Sequence, residues 1–396
     1  MGSRRVTYVC QHFSLPTESG NLRMWEFARR LQADGYSVTV VRGGNAAGKT
    51  TVEDVRICTV SAKYANEMSM ARRILSFVQF MVGSCVLAIT TKPNLIVASS
   101  TPLTVAVPAI IGGLRPRTRV IFEVRDLWPE LPVKLGFLKN VFLIRMAALL
   151  EWAAYRRANA VIALSPYMED GVKKVAPGSN TVMIPNGCDF DQFDSVGSRR
   201  KELRKSLDVA DSEILIVYAG GFGFLYDLGF FVEIAGLLQG SGVRFAFIGQ
   251  GSESSALKLR ARTLGMDTDT LFLGRRSKRE VIEYLNASDA NISSLRAEPI
   301  LEGCSLNKVF DAMAAGRPLL LNHGGWLADE VQEAEAGWRL PANPVAAAEY
   351  LREILSDHDE LVRRGKNNYQ LGRLKFSRDD QYRLFVETVE GVMGPG

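Results

Sequence analysis

"LEGCSLNKVFDAMAAGRPLLL", residues 301–321, sets a lysine and an aspartate three apart at the start of a helix of small residues, then closes with Gly316, Arg317, Pro318 and a short apolar strand. Leu306, Val309, Phe310 and Met313 fall at i, i+3, i+4 and i+7, so they form the buried face and leave Lys308 and Asp311 off it. Ser305 or Asn307 is placed to cap the first turn. An aspartate early in a helix agrees with the dipole, whereas a lysine there opposes it. A negative ligand would relieve that conflict, and a diphosphate is a natural candidate. Asp311 could accept hydrogen bonds from a ribose diol, as acidic residues do in nucleotide sites. The other reading is a surface pair worth a few tenths of a kcal/mol.

The strand–loop–helix rhythm of this stretch repeats in both directions. Upstream, "RRVTYVC", "DGYSVTVV", "PNLIVASS", "TRVIFEVRD" and "NAVIALS" read as strands. Met24, Phe27, Ala28 and Leu31 mark a helix between the first two, and "KNVFLIRMAALLEWAAYRRA" is a long helix between the last two. Near-continuous apolar strands separated by helices imply a parallel sheet covered on both faces. The pattern restarts after "TVMIPNGCDFDQF", a short strand ending in an Asn-Gly turn, and "SRRKELRKSL", a charged, solvated helix. "EILIVYAGGFG", "VRFAFIGQGS" and "TLFLGRRSKREVIEYLNASDANISSL" then lead back to the opening stretch. The expectation is a doubly wound α/β domain over 1–188, a second over 189–375, and a final helix in 376–396 that packs back across the joint. Ligands of such folds bind at the carboxyl ends of the strands, here a cleft between the domains.

Composition narrows the classes. The chain has 396 residues, 47% hydrophobic and 23% charged, which is globular rather than disordered, and a formal charge of +5. That mild basic excess suits a phosphate-bearing ligand or an anionic membrane surface. No nucleic-acid motif or long basic run is present. The five cysteines show no metal-ligand spacing and read as reduced thiols, and three histidines make a histidine metal site or a Ser-His-Asp triad improbable. Met1 leads through Arg4 and Arg5 straight into a strand with no secretory signal, so the expected location is cytoplasmic. "ILSFVQFMVGSCVLAIT", from Ile74, is short for a span and reads as a buried or interfacial helix.

Three loops carry glycine: "PTESGN" with Gly20, "YAGGFG" with Gly220, Gly221 and Gly223, and "IGQGS" with Gly249 and Gly251. Each is either an anion seat at a helix N-terminus or a tight βα turn. None completes G-x-G-x-x-G, because Tyr226 stands where a small residue is needed. Asp126 follows a buried strand and reads either as a cleft contact or as the cap of the helix that "LWPEL" begins. Arg125 can neutralise phosphate or pair with Glu130, Trp128 reads as wall, and His12 can reach the cleft.

"SLNKVFDAMAAGRP" resembles the nucleotide-sugar helix of family 4 retaining glycosyltransferases, which have the GT-B fold of two facing Rossmann-like domains. "FEVRDLWPE" resembles a signature of their bacterial branch that builds cell-surface polysaccharides of colanic-acid and O-antigen type. "SGNLRMWEFARRLQADGYSVTVV", "ALSPYM", "IPNGCDFDQF", "FIGQGSE" and "FLGRRSKREVIEYLNASDA" are similar to that family in the same order along nearly the whole chain. The resemblance implies a C-terminal domain that binds a UDP- or GDP-type sugar. Asp311 would hold the ribose and Lys308 the diphosphate, helped by the N–H groups of Leu306 and Asn307, with Gly220, Gly221 and Gly249 facing the phosphates. The N-terminal domain would hold the acceptor, with Gly20 near the donor phosphate and Arg125, Asp126 and Glu302 as acceptor or sugar contacts. Asp126 and Lys308 would be catalytic.

Two departures accompany the resemblance. The family often has two acidic residues separated by seven, and counting back from Asp311 reaches Gly303, with Glu302 one place off. "GGFGFLYDLG" also lacks the family's basic pair; Arg275, Arg276 and Lys278 either compensate or form a solvated turn. No Asp-x-Asp lies in a clear strand-end loop, so no metal and no cofactor are expected. At branch level the acceptor is a polyprenyl-diphosphate-linked sugar, reached by peripheral membrane contact through the helix from Ile74 and the nearby Arg72, Arg73, Arg115, Arg117 and Arg119. The alternatives are a GT-B epimerase that needs no acceptor and a non-catalytic sugar-nucleotide scaffold. A two-lobed solute-binding protein would need an export signal.

Overall fold

The computed structural model describes residues 4–18, 20, 22–64, 68–196 and 199–394. Ser19 and Asn21 of the first glycine loop lie outside the described residues. Strands β1 (Arg5–Val9), β2 (Ser37–Gly44), β3 (Gly48–Val52), β4 (Val55–Ser61), β5 (Leu95–Ser99), β6 (Arg119–Val124), β7 (Ala160–Ala163) and β8 (Thr181–Met183) form an eight-stranded sheet in the order β3-β4-β2-β1-β5-β6-β7-β8. Its ladders are parallel except for the β3–β4 hairpin. Strands β9 (Ile214–Ala219), β10 (Val243–Ile248), β11 (Phe272–Gly274), β12 (Ala290–Ser293), β13 (Leu319–Leu321) and β14 (Gly337–Arg339) form a six-stranded parallel sheet in the order β11-β10-β9-β12-β13-β14. Strands β5, β7, β12 and β13 are buried along their whole length, which is why they read as unbroken apolar or small-residue runs.

Each sheet reverses its winding once. In the first, β1 sits between β2 and β5; in the second, β9 sits between β10 and β12. Helices that follow the two strands at a reversal diverge to opposite faces, so a crevice opens at their carboxyl ends. The residues that emerge there are Cys10–His12 after β1, Ser100–Pro102 after β5, Gly220 and Gly221 after β9, and Ser294 after β12; Arg125 and Asp126 follow the neighbouring β6, and Asp126 joins the group through Thr101.

In the N-terminal half the helices are α1 (Arg23–Ala33), α2 (Met70–Thr90), α3 (Ala106–Gly113), α4 (Glu130–Lys134), α5 (Val141–Arg157) and α6 (Pro166–Val175). In the C-terminal half α7 (Lys278–Ala287) and α8 (Asn307–Ala314) flank the site, and α9 (His358–Lys375) leads into α10 (Arg378–Met393). Helix α10 returns to the first sheet: Phe385 stacks on Phe27 at 4.8 Å, and Phe385 and Val389 are buried in the N-terminal core. The two crossings between the halves lie side by side. Cys188 N–H donates to Phe376 O at 2.7 Å, Arg378 N–H donates to Cys188 O at 3.0 Å, and the Arg378 guanidinium pairs with Asp189 at 2.8 Å. Arg23 of α1 fastens the same joint from below, paired with Glu123 at 3.1 Å and donating to the carbonyls of Ile184 and Pro185.

The structure adds one element and refines three local readings. The hairpin β3–β4 turns through Glu53 and Asp54, both at positive φ, without the Asn-Gly that usually marks such a turn. Asn186-Gly187 does not form the turn expected after the strand; Asn186 reaches across to Ser305 instead. The helix at 200–206 is not fully solvated, because Arg204 is buried on Asp289 at 2.8 Å. Helix α2, read as buried or interfacial, is largely exposed: only 22% of its 71–90 stretch is buried, and it docks on the sheet through Ser76, Phe80, Ser84 and Ala88.

Candidate functional site

Helix α8 begins without a side-chain cap; its N-cap is Leu306, and neither Ser305 nor Asn307 caps it. Ser305 is engaged elsewhere, its Oγ accepting from Asn186 N–H at 3.1 Å and its carbonyl from Asn186 Nδ2 at 2.7 Å. That bond ties the joint to the helix start and leaves the first N–H groups of α8 directed at the crevice. Val309 N–H closes the first turn on Leu306 O at 3.0 Å.

Lys308 turns inward. Its Nζ donates to Tyr218 Oη at 3.0 Å and lies 3.5 Å from the centre of the Tyr226 ring and 4.7 Å from that of Tyr218. Tyr218 Oη in turn donates to Gly221 O at 2.9 Å, so β9 and its glycine loop set the position of the lysine. Lys308 forms no ion pair among the described residues. Burial therefore pulls its ammonium down to about 7, opposed only by the thiol of Cys304. A buried cation held over two aromatic rings without a carboxylate is able to receive an anion.

Asp311 lies one turn on and accepts from Lys278 Nζ of α7 at 2.6 Å. Both side chains are about one-fifth exposed, neither sealed in the core nor turned out to bulk water. Lys278 thus comes to the helix that carries Lys308, whereas Arg275 is exposed just after β11 and makes no ion pair among the described residues.

The glycines serve shape more than donation. Gly249 has φ +148°, and a Cβ there would lie 1.8 Å from Gly220 O. Its N–H is already bonded to Gly274 O at 2.9 Å, and that of Gly220 to Ile248 O at 2.9 Å. A Cβ on Gly220 would approach Lys308 Cε to 3.6 Å, so this loop is the wall of the lysine's seat. Gly20, at φ +153°, is pressed on Ser14.

Across the crevice Asp126 accepts from Thr101 Oγ1 at 2.6 Å and caps no helix; α4 begins after Pro129. Burial raises its carboxyl, while Thr101 and Arg125 act in the opposite sense. Its charge is felt by Cys304 and Tyr226, both pushed up to about 12 chiefly by burial, so Asp126 of the first domain lies near the residues around Lys308. Arg125 does not pair with Glu130, which bonds to Lys134 and Tyr167 instead. Its field, after burial, holds His12 down at about 4. His12 is therefore neutral at pH 7, and it packs on Tyr64 at 4.5 Å.

Gly303 is explained by sterics. A Cβ there would meet the Tyr167 ring of α6 at 2.5 to 2.7 Å, so a helix of the first domain supplies a ring where an acidic side chain would stand. Glu302 does not take that place: it is exposed and lies beside Gly324 and Arg339. We expect Gly303→Glu to cost about 1–3 kcal/mol in a urea titration, as overpacking does. Adding Tyr167→Ala should recover most of it; additive losses in the double mutant would mean the two positions are uncoupled.

Tyr218, Tyr226, Cys304 and Thr101 belong to this site and carry no sequence signal of their own. The nearest signal was Tyr226 as the residue that broke the glycine motif.

Residues 20–187 match the family model "Glycosyl transferase 4-like domain", and residues 199–371 match "Glycosyl transferases group 1". The chain is 24% identical over 153 residues to the putative colanic acid biosynthesis glycosyl transferase WcaI of Escherichia coli K12, a match that spans 37% of this chain and 38% of that protein. Among solved structures it resembles sucrose-phosphate synthase from Thermosynechococcus elongatus, with a TM-score of 0.76, 16% identity and 98% of each chain covered. It also resembles Anabaena HepE in complex with UDP-glucose, with a TM-score of 0.73, 16% identity, and 98% of this chain and 99% of that one covered. With two parallel sheets facing across one crevice and each half matched by its own model, the chain belongs to the family 4 glycosyltransferases and has the GT-B fold.

Proposed function

We propose that the protein transfers a sugar from a nucleoside diphosphate sugar to an acceptor hydroxyl with retention at the anomeric carbon. The observation that carries this reading is Lys308, an enclosed ammonium with no carboxylate partner, beneath the N-terminus of α8. A pyrophosphate placed there meets the ammonium and the free N–H groups of Leu306 and Asn307 together. Charge grows on that leaving group as the glycosidic bond breaks, and preorganised donors stabilise it without a metal. Asp311 exchanges Lys278 for the ribose diol. Asp126 faces the acceptor side of the pocket, where its raised carboxyl can hydrogen-bond a sugar hydroxyl. The acceptor hydroxyl attacks from the face the diphosphate leaves, and the departing phosphate takes its proton.

The match to a colanic-acid enzyme supports a role in surface polysaccharide synthesis, with a lipid-linked sugar as acceptor. Helix α2, apolar and long enough to cross a membrane by length and composition, supports a cytoplasmic protein held peripherally at the inner face of the membrane. The glucose nucleotide bound by the HepE structure makes UDP-sugars the first donors to try.

A thermal-shift panel of UDP- and GDP-sugars tests the donor half. A ligand at 100 times its Kd should add about 2.7 kcal/mol of stability by mass action. At least one should raise the melting temperature of the wild type, and Lys308→Ala should abolish the rise. A panel with no shift removes the nucleotide-sugar assignment.

A further inference from the structure

Helix α2 is not the sole apolar element on its face of the first sheet. Ile74, Val78, Val82, Val86 and Ile89 of α2 are between 42% and 57% exposed. Helix α3 packs between α2 and α5. On α5, Phe142, Met146, Leu149 and Trp152 are between 47% and 69% exposed, a helical stripe that turns away from the core. The α5 stripe is fixed by its start, where Asn140 Oδ1 accepts from Phe142 N–H at 3.0 Å and Leu143 N–H at 3.1 Å. It also continues to the crevice. Phe137, just before α5, meets Phe224 of the other domain at 5.3 Å, and both rings are nearly half exposed.

Charge tells what covers this face. Helix α2 has no carboxylate, and the single one on α5, Glu151, is buried and accepts from Tyr155 Oη at 3.0 Å. Around the stripes stand exposed Arg72, Arg115, Arg117, Lys139, Arg145 and Arg156, none in an ion pair among the described residues. A second copy of the chain on this face would set arginine against arginine. Apolar stripes rimmed by unpaired cations match the acyl boundary and headgroups of an anionic bilayer. The inner rows of α2 are packed on the sheet, so the helix lies on a membrane rather than across it.

We infer that α2 and α5 form one surface that docks the protein on an anionic lipid bilayer, with the rim at Phe137 and Phe224 turned toward the lipid. This extends the membrane contact proposed above to a second helix and gives it an orientation. The acceptor then enters the crevice along the membrane plane.

Vesicle flotation of the full chain tests it, using phosphatidylcholine vesicles with and without phosphatidylglycerol. The wild type should float with the anionic vesicles only. Phe142→Ser with Met146→Ser should weaken flotation about tenfold or more, as should Val82→Ser with Val86→Ser, because each pair removes two apolar side chains that the bilayer would bury. Arg145→Glu should weaken it with the apolar stripe intact. Trp152 is the most exposed tryptophan, so its emission should shift to the blue on binding and be quenched by brominated lipid. Wild-type flotation by the α5 double mutant overturns the proposal, and so does an unmoved Trp152 emission. A wild type that does not float overturns it too, as does a double mutant that dissociates a dimer while binding vesicles normally. The nucleotide-sugar thermal shift is read on the same samples. Flotation without that shift leaves the docking surface standing and removes the transferase reading alone.

Discussion

Replacing Lys308 by alanine should lower kcat by about two to three orders of magnitude, the loss seen when one preorganised donor is removed from a developing anion. The fold should not suffer with it. Lys308 has no carboxylate to leave unpaired, and burying its ammonium is already a cost, so Lys308→Met should be as stable as the wild type or more so. A large activity loss at constant stability separates a role in the reaction from a role in folding. The same residue gives a pH signature. Burial brings the free enzyme's ammonium to about 7, and a diphosphate binds the protonated form. Above that value donor binding must take up a proton, so Kd should rise with pH, by up to about tenfold per unit. Lys308→Met should bind weakly with no such slope. A wild-type Kd that stays flat from about pH 6 to about pH 9 would show that the ammonium is not what meets the donor.

Gly249→Ala should be the most damaging single methyl among the described glycines. The backbone at φ +148° disfavours any side chain, and the new Cβ would stand 1.8 Å from Gly220 O. Relief requires the two glycine loops to separate, which breaks the bonds of Gly220 to Ile248 and of Gly249 to Gly274. We expect a loss of about 3 kcal/mol or more in a urea titration, from backbone strain and overpacking together. Donor affinity should fall as well, because Gly220 walls the seat of Lys308. Gly223→Ala is the control: a Cβ there meets nothing within 4 Å, so it should be close to neutral. Equal behaviour of the two variants would mean that loop contact does not shape the site.

What the sequence disclosed follows the range of the interactions involved. The strands were legible because burial on both faces writes itself as apolar runs, and α8 because its buried face keeps the helical period. Lys308 was legible as a local contradiction between a cation and a helix start. The hairpin β3–β4 was hidden, since "GKTTV" is almost wholly solvent-facing and its turn lacks glycine and asparagine. Tyr218 and Tyr226 were hidden for another reason: their contact to Lys308 spans 90 residues or nearly as many, and no local pattern encodes it. The same holds for Lys278 on Asp311, separated by 33 residues, and for Tyr167 over Gly303. Asn186-Gly187 misled because a turn dipeptide can equally be a residue that reaches across a joint.

The paired crossings at Cys188 and Phe376 have a mechanical meaning. A single linker swivels freely, but two adjacent parallel segments, bridged by main-chain bonds and clamped by Arg378 on Asp189, resist torsion and sliding. They bend about one line. Any motion between the lobes is therefore confined to bending along that line, as a book bends at its spine.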